Sequence, residues 1–177
     1  MMDRTISLSD LPTRQKGQCR WCGGPVPKGR RSWCGAACVN DYMIRSSPAI
    51  AAKLVYQRDR GVCALCGVDA IALRRAAVAE LKLAKVADRS NWHWRYAELH
   101  RLVVWFEGRD YDVRVQGWNE RCSIPALWQA DHIVPVSEGG GGCGLENYRT
   151  LCLWCHAAET GKLRRRLNRR AAEMEAA

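Results

Sequence analysis

The sequence holds a single Phe and six Pro in 177 residues, and its 18 Asp plus Glu are outnumbered by 28 Lys plus Arg, for a formal net charge of +10. It has no apolar run near the ~20 residues that a membrane-spanning helix needs, so no membrane partner is expected. The opening MMDRTISLSDLPTRQKGQ lacks a continuous apolar stretch of signal-peptide length, so secretion is not expected either. With 47% apolar and 26% charged residues, the composition excludes a disordered chain. What remains is a basic chain of one domain with a small appendage, expected to be intracellular and cytoplasmic, with a nucleoid-associated or phage-encoded setting open. The positive charge favours an acidic partner, and nucleic acid is the commonest.

Against these shortages stand ten Cys and eight Trp. In a chain that is not secreted, close Cys pairs read as metal ligands rather than disulfides. Cys19-Arg-Trp-Cys22 and Cys34-Gly-Ala-Ala-Cys38 are two knuckles of the kind that close one tetrahedral zinc site. Cys63-Ala-Leu-Cys66 and Cys152-Leu-Trp-Cys155 are each incomplete alone, and the economical reading joins them on a second zinc. Counting leaves other pairings of the knuckles open. Cys122 and Cys143 are expected to be ordinary thiols. The tryptophans (Trp21, Trp33, Trp92, Trp94, Trp105, Trp118, Trp128 and Trp154) are expected mostly to cover the zinc sites and the core, with base stacking a secondary use.

Residues 1–18 read as a flexible N-terminus and 19–47 as a zinc finger, with a short helix after Cys38. Ser47 reads as an N-cap, Pro48 as the first residue of a helix and Gly61 as its stop. Asp69 can cap an Ala-rich helix reaching about Ala87, on which Leu73, Ala77, Leu81 and Ala84 recur at helical spacing. Leu102, Val104 and Phe106 then alternate on one strand and Tyr111, Val113 and Val115 on another, joined through Glu107-Gly108-Arg109-Asp110. Residues 68–128 therefore look like a helix-plus-hairpin insertion between the halves of the second zinc site. The end of the chain reads as an apolar run over Gln129–Val136 suited to a strand ending at or near Pro135, a glycine loop, a strand over Tyr148–Leu153, and a basic helix from Cys155. The expected fold class is α+β: residues 48–170 form the main domain and 171–177 a flexible C-terminus.

Asp131-His132, Asn147 and Cys152-Leu-Trp-Cys155-His156 bring a carboxylate, two imidazoles and an amide beside a structural zinc site. Phosphodiester hydrolysis needs a divalent metal to stabilise charge on the phosphate and the leaving oxygen, and a base to activate water. Asp131 and His156 are the candidate metal ligands. His132 is the candidate base, since an ordinary imidazole titrates near ~6.5 and accepts protons at neutral pH. The Asn147 amide does not titrate, so its expected role is to hold the loop or the base by hydrogen bonding.

The pattern DHIVPVSEGGGGCGLENYRTLCLWCH resembles that of HNH endonucleases of the ββα-metal type, in the variant flanked by zinc knuckles. More narrowly, SWCGAACVNDYMIRSSPAIAAKLVYQRDRGVCALCG with WQADHIVPVSEGGGGCGLENYRTLC is similar to the HNH domain carried by zinc-finger, RAN-binding annealing helicases. The resemblance implies a small ββα-metal core stapled by one four-cysteine zinc site, with His132 as base, Asp131 and His156 on Mg2+ or another divalent ion, and Asn147 ordering the site. It assigns structural zinc to Cys63, Cys66, Cys152 and Cys155. One departure is Glu159 before Thr160, where many members carry Lys or Arg; Lys162 stands nearby to supply a cation.

Lys162, Arg165, Arg166 and Arg169 share a side of the final helix and can follow a phosphate backbone. The expected function is thus a metal-dependent DNA endonuclease acting on duplex or branched DNA, with RNA a lesser candidate. The alternative is a non-catalytic zinc-containing module that binds nucleic acid through the same helix.

Overall fold

The computed structural model describes residues 15–87, 101–117 and 122–176, and its first three helices begin at Ala36, Pro48 and Ala70. Helix α1 (Ala36–Ser46) begins just after Cys34, so that Cys38 lies buried within it. Helix α2 (Pro48–Asp59) starts on Pro48, whose fixed φ suits a first helical residue. The Ser47 carbonyl accepts the Ala51 N–H at 3.0 Å. Gly61 (φ +83) follows the end of α2 in the left-handed region, and a Cβ there would lie 2.5 Å from Ile71 Cγ1. Both conformation and space therefore demand glycine.

Helix α3 (Ala70–Ala87) is capped by the Asp69 carboxylate, which accepts the Ile71 and Ala72 N–H groups at 2.9 Å each. It buries Ala70, Leu73, Ala77 and Leu81, one face at helical spacing. Strands β1 (Arg101–Phe106) and β2 (Arg109–Arg114) pair antiparallel with Val104 opposite Tyr111 and Leu102 opposite Val113. Their connection is tighter than the four residues expected from sequence. Only Glu107 (φ 47) and Gly108 (φ 85) lie between the strands, both left-handed, as a two-residue hairpin turn requires.

Strands β3 (Trp128–His132) and β4 (Tyr148–Cys152) form a second two-stranded sheet, and α4 (Leu153–Glu175) leaves directly from the end of β4. Strand β3 stops at His132, short of the expected end near Pro135. Ile133 N still donates to the Asn147 carbonyl at 2.8 Å, but Val134 N donates to Asn147 Oδ1 at 2.8 Å, so a side chain takes over the next backbone donor. Helix α4 starts two residues before Cys155, and its continuation to Glu175 carries regular helix into the segment expected to be a flexible end.

The chain divides into two units, Met1–Asp59 with Ala130–Thr150, and Arg60–Gln129 with Leu151–Ala177. In the first, Cys19, Trp21 and Cys38 are buried together, with Val26, Trp33, Cys34 and Tyr42 packed against them. The second holds the larger core, built from Val68, Leu73, Leu81, Val104, Tyr111, Val113, Ile124, Leu127 and Leu151 around Cys63 and Cys152. Most of these residues come from the segment read as an insertion, so it supplies the core on which the second thiol set is mounted. The architecture is α+β. Residues 1–14 of the expected flexible N-terminus, Trp92, Trp94, Trp118 and Ala177 lie outside the described residues. No helix among the described residues is long and apolar enough to cross a membrane.

Candidate functional site

The thiols gather as the knuckles suggest. Cys19, Cys22, Cys34 and Cys38 form one set and Cys63, Cys66, Cys152 and Cys155 the other, with the sulfurs of each set within 4.8 Å of one another. A tetrahedron with ~2.3 Å Zn–S bonds spaces its sulfurs about 3.8 Å apart. The observed separations of 3.6 Å for Cys22 and Cys34, 3.4 Å for Cys34 and Cys38, and 3.6 Å for Cys66 and Cys152 fit that ion. Burial opposes ionisation of Cys19, but backbone N–H groups of Cys22, Cys34 and Trp21 lower it to about 6. Cys63 is lowered to about 6 in the same way, against its burial, by the N–H groups of Cys152, Cys66 and Leu65. Cys38 and Cys155 are pushed up, first by burial and then by the thiols crowded beside them. One thiolate forms readily in each set and the last resists, so a dication is the natural partner of the complete set.

Each set anchors different material. The first fixes the loop after Gly17, where Cys19 N donates to Gly24 O at 2.8 Å and Arg20 N to Ser32 O at 3.0 Å. In the second unit Leu153 N donates to Leu127 O at 3.1 Å, and Trp154 packs edge-on against Tyr111 with ring centroids 4.8 Å apart. Cys122 and Cys143 belong to neither set.

In the first unit the glycine loop is organised by Asn147. Its Nδ2 donates to Val134 O at 3.0 Å and Gly140 O at 3.1 Å, while Oδ1 accepts Val134 N. A Cβ on Gly140 would fall 1.8 Å from Val134 O, so this glycine is required by close approach. Ahead of that loop, half-buried Asp131 and His132 end strand β3. Asp131 Oδ2 accepts Arg149 Nε at 3.1 Å. The His132 ring lies against Tyr148, with centroids 4.4 Å apart and planes at 42°. Tyr148 is held in turn by its contact with buried Cys143, and burial, then that thiol, pushes the phenol up.

A second tie, absent from the sequence reading, holds both ends of the Leu145–Tyr148 stretch. Arg58 donates to Leu145 O at 2.9 Å and to Tyr148 O at 2.8 Å, and these carbonyls flank Asn147. Asp59 Oδ2 accepts Thr150 Oγ1 at 2.9 Å and Thr150 N at 3.2 Å. The Arg58 guanidinium holds the Asp59 carboxyl below the usual carboxylate range, against the effect of burial, and Thr150 adds to the lowering. Arg58, Asp59, Tyr148 and Arg149 were not singled out from sequence, since their partners are fixed by tertiary contact; only the adjacency of Tyr148 and Arg149 to Asn147 hinted at them.

His156 lies in the first turn of α4, in the second unit, directly after the zinc-site thiol of Cys155. Further along α4, Lys162, Arg165, Arg166 and Arg169 are exposed, with Leu163 and Leu167 more covered. Lys162 Nζ is 2.7 Å from Glu159 Oε1, so the residue expected to restore a cation is paired with the carboxylate that displaced one.

Residues 120–162, which span β3, the Asn147-stapled loop, β4 and the start of α4, match the family model described as HNH endonuclease. This segment belongs to the HNH endonuclease family. Over 133 residues the chain is 32% identical to the mouse DNA annealing helicase and endonuclease ZRANB3 and 31% identical to the human one, covering 73% of this chain in each case. The bovine protein is 30% identical over 137 residues. The matched region is 11% of each relative's length. No solved structure matches the chain. The HNH segment therefore lies in a chain that carries two four-cysteine groups suited to zinc.

Proposed function

We propose that this chain is a metal-dependent endonuclease that hydrolyses phosphodiester bonds in duplex or branched DNA. The observation that carries the reading is the loop stapled by the Asn147 amide immediately after His132, inside the HNH segment. His132 acts as general base, taking the proton of the attacking water, and its contact with Tyr148 limits the positions its ring can take. Asp131 and His156 would hold Mg2+ or another divalent ion, an assignment supported by the family pattern, and the ion would supply charge stabilisation in phosphodiester hydrolysis. Asn147 keeps the backbone after His132 in one conformation. Lys162, Arg165, Arg166 and Arg169 contact phosphates without reading sequence. A reducing intracellular compartment, where thiolates stay available to zinc, is part of the proposal.

Plasmid nicking with added Mg2+ or Mn2+ tests it. His132→Ala is expected to lose about 100-fold or more in rate, the usual contribution of a positioned base. Asp131→Ala and His156→Ala are expected to lose activity with DNA binding retained. An inactive parent protein, or a His132→Ala variant that nicks as fast as the parent, would overturn the proposal. One observation favours the second reading, a non-catalytic nucleic-acid-binding module: the Asp131 carboxylate is already engaged by Arg149. On that reading the parent binds supercoiled, branched and single-stranded DNA yet cleaves none of them.

A further inference from the structure

The first zinc module carries a charge pattern that the nuclease reading does not use. No Asp or Glu occurs between Asp10 and Asp41, whereas Lys16, Arg20, Lys28, Arg30 and Arg31 all fall there. All five are exposed. Zinc on four thiolates carries a residual charge of about −2, which the five cations exceed. Among the described residues, Lys16, Lys28, Arg30 and Arg31 make no ion pair, although acidic side chains elsewhere in the chain pair with arginine or lysine. Among the described residues, the surface is thus basic without a paired acidic side chain.

It is also rigid. Cys19 and Trp21 are 2% and 3% exposed, so the loop is packed from within. Gly17 O accepts Val26 N at 2.8 Å, and Pro27 O accepts Arg30 N at 3.1 Å, fixing the turn that presents Lys28, Arg30 and Arg31. The Arg20 guanidinium lies 5.7 Å from the Trp33 ring and 5.3 Å from the Tyr42 ring, and those two rings are 4.9 Å apart. A cation laid over aromatic faces keeps its charge and loses little further freedom on meeting an anion. Exposed cations presented from a packed loop, with Arg20 held over two rings, suit the negative charges of a nucleic-acid backbone.

We propose that Lys16, Arg20, Lys28, Arg30 and Arg31 on the first zinc module form a second nucleic-acid contact surface that binds the phosphate backbone. The partner rests on the nucleic-acid reading above, but the surface adds affinity and does no chemistry.

The test compares the full chain with Lys28→Ala/Arg30→Ala/Arg31→Ala, both with zinc content measured, in binding to a labelled duplex across a salt series without added divalent ion. The dependence of log affinity on log salt is expected to become shallower by about 0.9 for each phosphate contact removed, approaching ~3 for the triple variant. Its plasmid nicking at saturating protein should match the parent's. Unchanged affinity and slope with two zincs retained would overturn the proposal, whatever the nicking assay gives. A polyglutamate peptide and anionic vesicles serve as rival partners. If the substitutions abolish binding to either while leaving duplex binding intact, the surface belongs to an acidic protein or a membrane and the proposal fails. Absence of nicking in the parent, with the shallower slope still observed in the variant, would overturn only the nuclease reading.

Discussion

At 4.4 Å between ring centroids, Tyr148 lies against His132 and restricts where that imidazole can sit. Tyr148→Phe keeps the ring and drops the bond to Cys143, so it should nick plasmid at close to the parent rate. Tyr148→Ala should lower kcat about tenfold or more with little change in KM, because a misplaced base slows chemistry more than binding. Equal activity of the two variants would remove Tyr148 from any positioning role. Asp59 offers a separate readout. Its carboxyl is lowered in the folded chain, so the folded state favours the anion. Its stabilising contribution is complete above the unfolded value near ~4 and is lost as pH falls through the lowered folded value. Asp59→Asn should flatten the acid limb of the stability curve and cost ~1–3 kcal/mol near neutrality, since Thr150 is fully buried. Chemical denaturation across pH checks both statements. The cysteine knuckles and the loop-holding amide of Asn147 could be read from sequence, because close thiol pairs and an Asn beside a Gly-rich loop have few uses. Asp59 could not, because its partner Thr150 is 91 residues away and a lone carboxylate at a helix end fits many roles.

At the scale of elements, α4 carries an internal conflict of charge. Glu159 holds Lys162 in an i, i+3 pair, at the start of a run whose other cations can face phosphate. Glu159→Gln should release Lys162, tighten duplex binding and steepen the salt dependence by about one unit; filter binding or fluorescence anisotropy would show it. Helix α3 and the β1–β2 hairpin were legible from hydrophobic period, and the cap at Asp69 from its carboxylate ahead of the helix. Their importance was not. Periodicity says which face is buried but not against what, so a segment that reads as an insertion turns out to hold Leu73, Val104, Tyr111 and Val113 in the larger core. Leu73→Ala should therefore destabilise by ~2–5 kcal/mol, as for a fully buried leucine, measurable by urea unfolding. The end of β3 was misjudged for a related reason: the amide of Asn147, thirteen residues on, captures Val134 N and ends the ladder.

For the molecule as a whole, the two thiol sets predict two tightly held zincs per chain. Metal analysis of the purified protein should return both. Cys66→Ser should lose one zinc and the cooperative unfolding of the second unit, because that set sits within its core. A single zinc in the parent would contradict the pairing. The spacing of the sets also imposes an order on biosynthesis. Cys22 and Cys34 are 12 residues apart, whereas Cys66 and Cys152 are separated by 86. At ~5–20 residues per second of translation, the first set is complete soon after it emerges, while Cys63 and Cys66 wait for several seconds for their partners. During that interval the core of the second unit lacks Leu151 and Cys152, and its two waiting thiols are open to mispairing or oxidation. A nascent chain stalled before its last knuckle would thus hold one complete thiol set and an unfinished core.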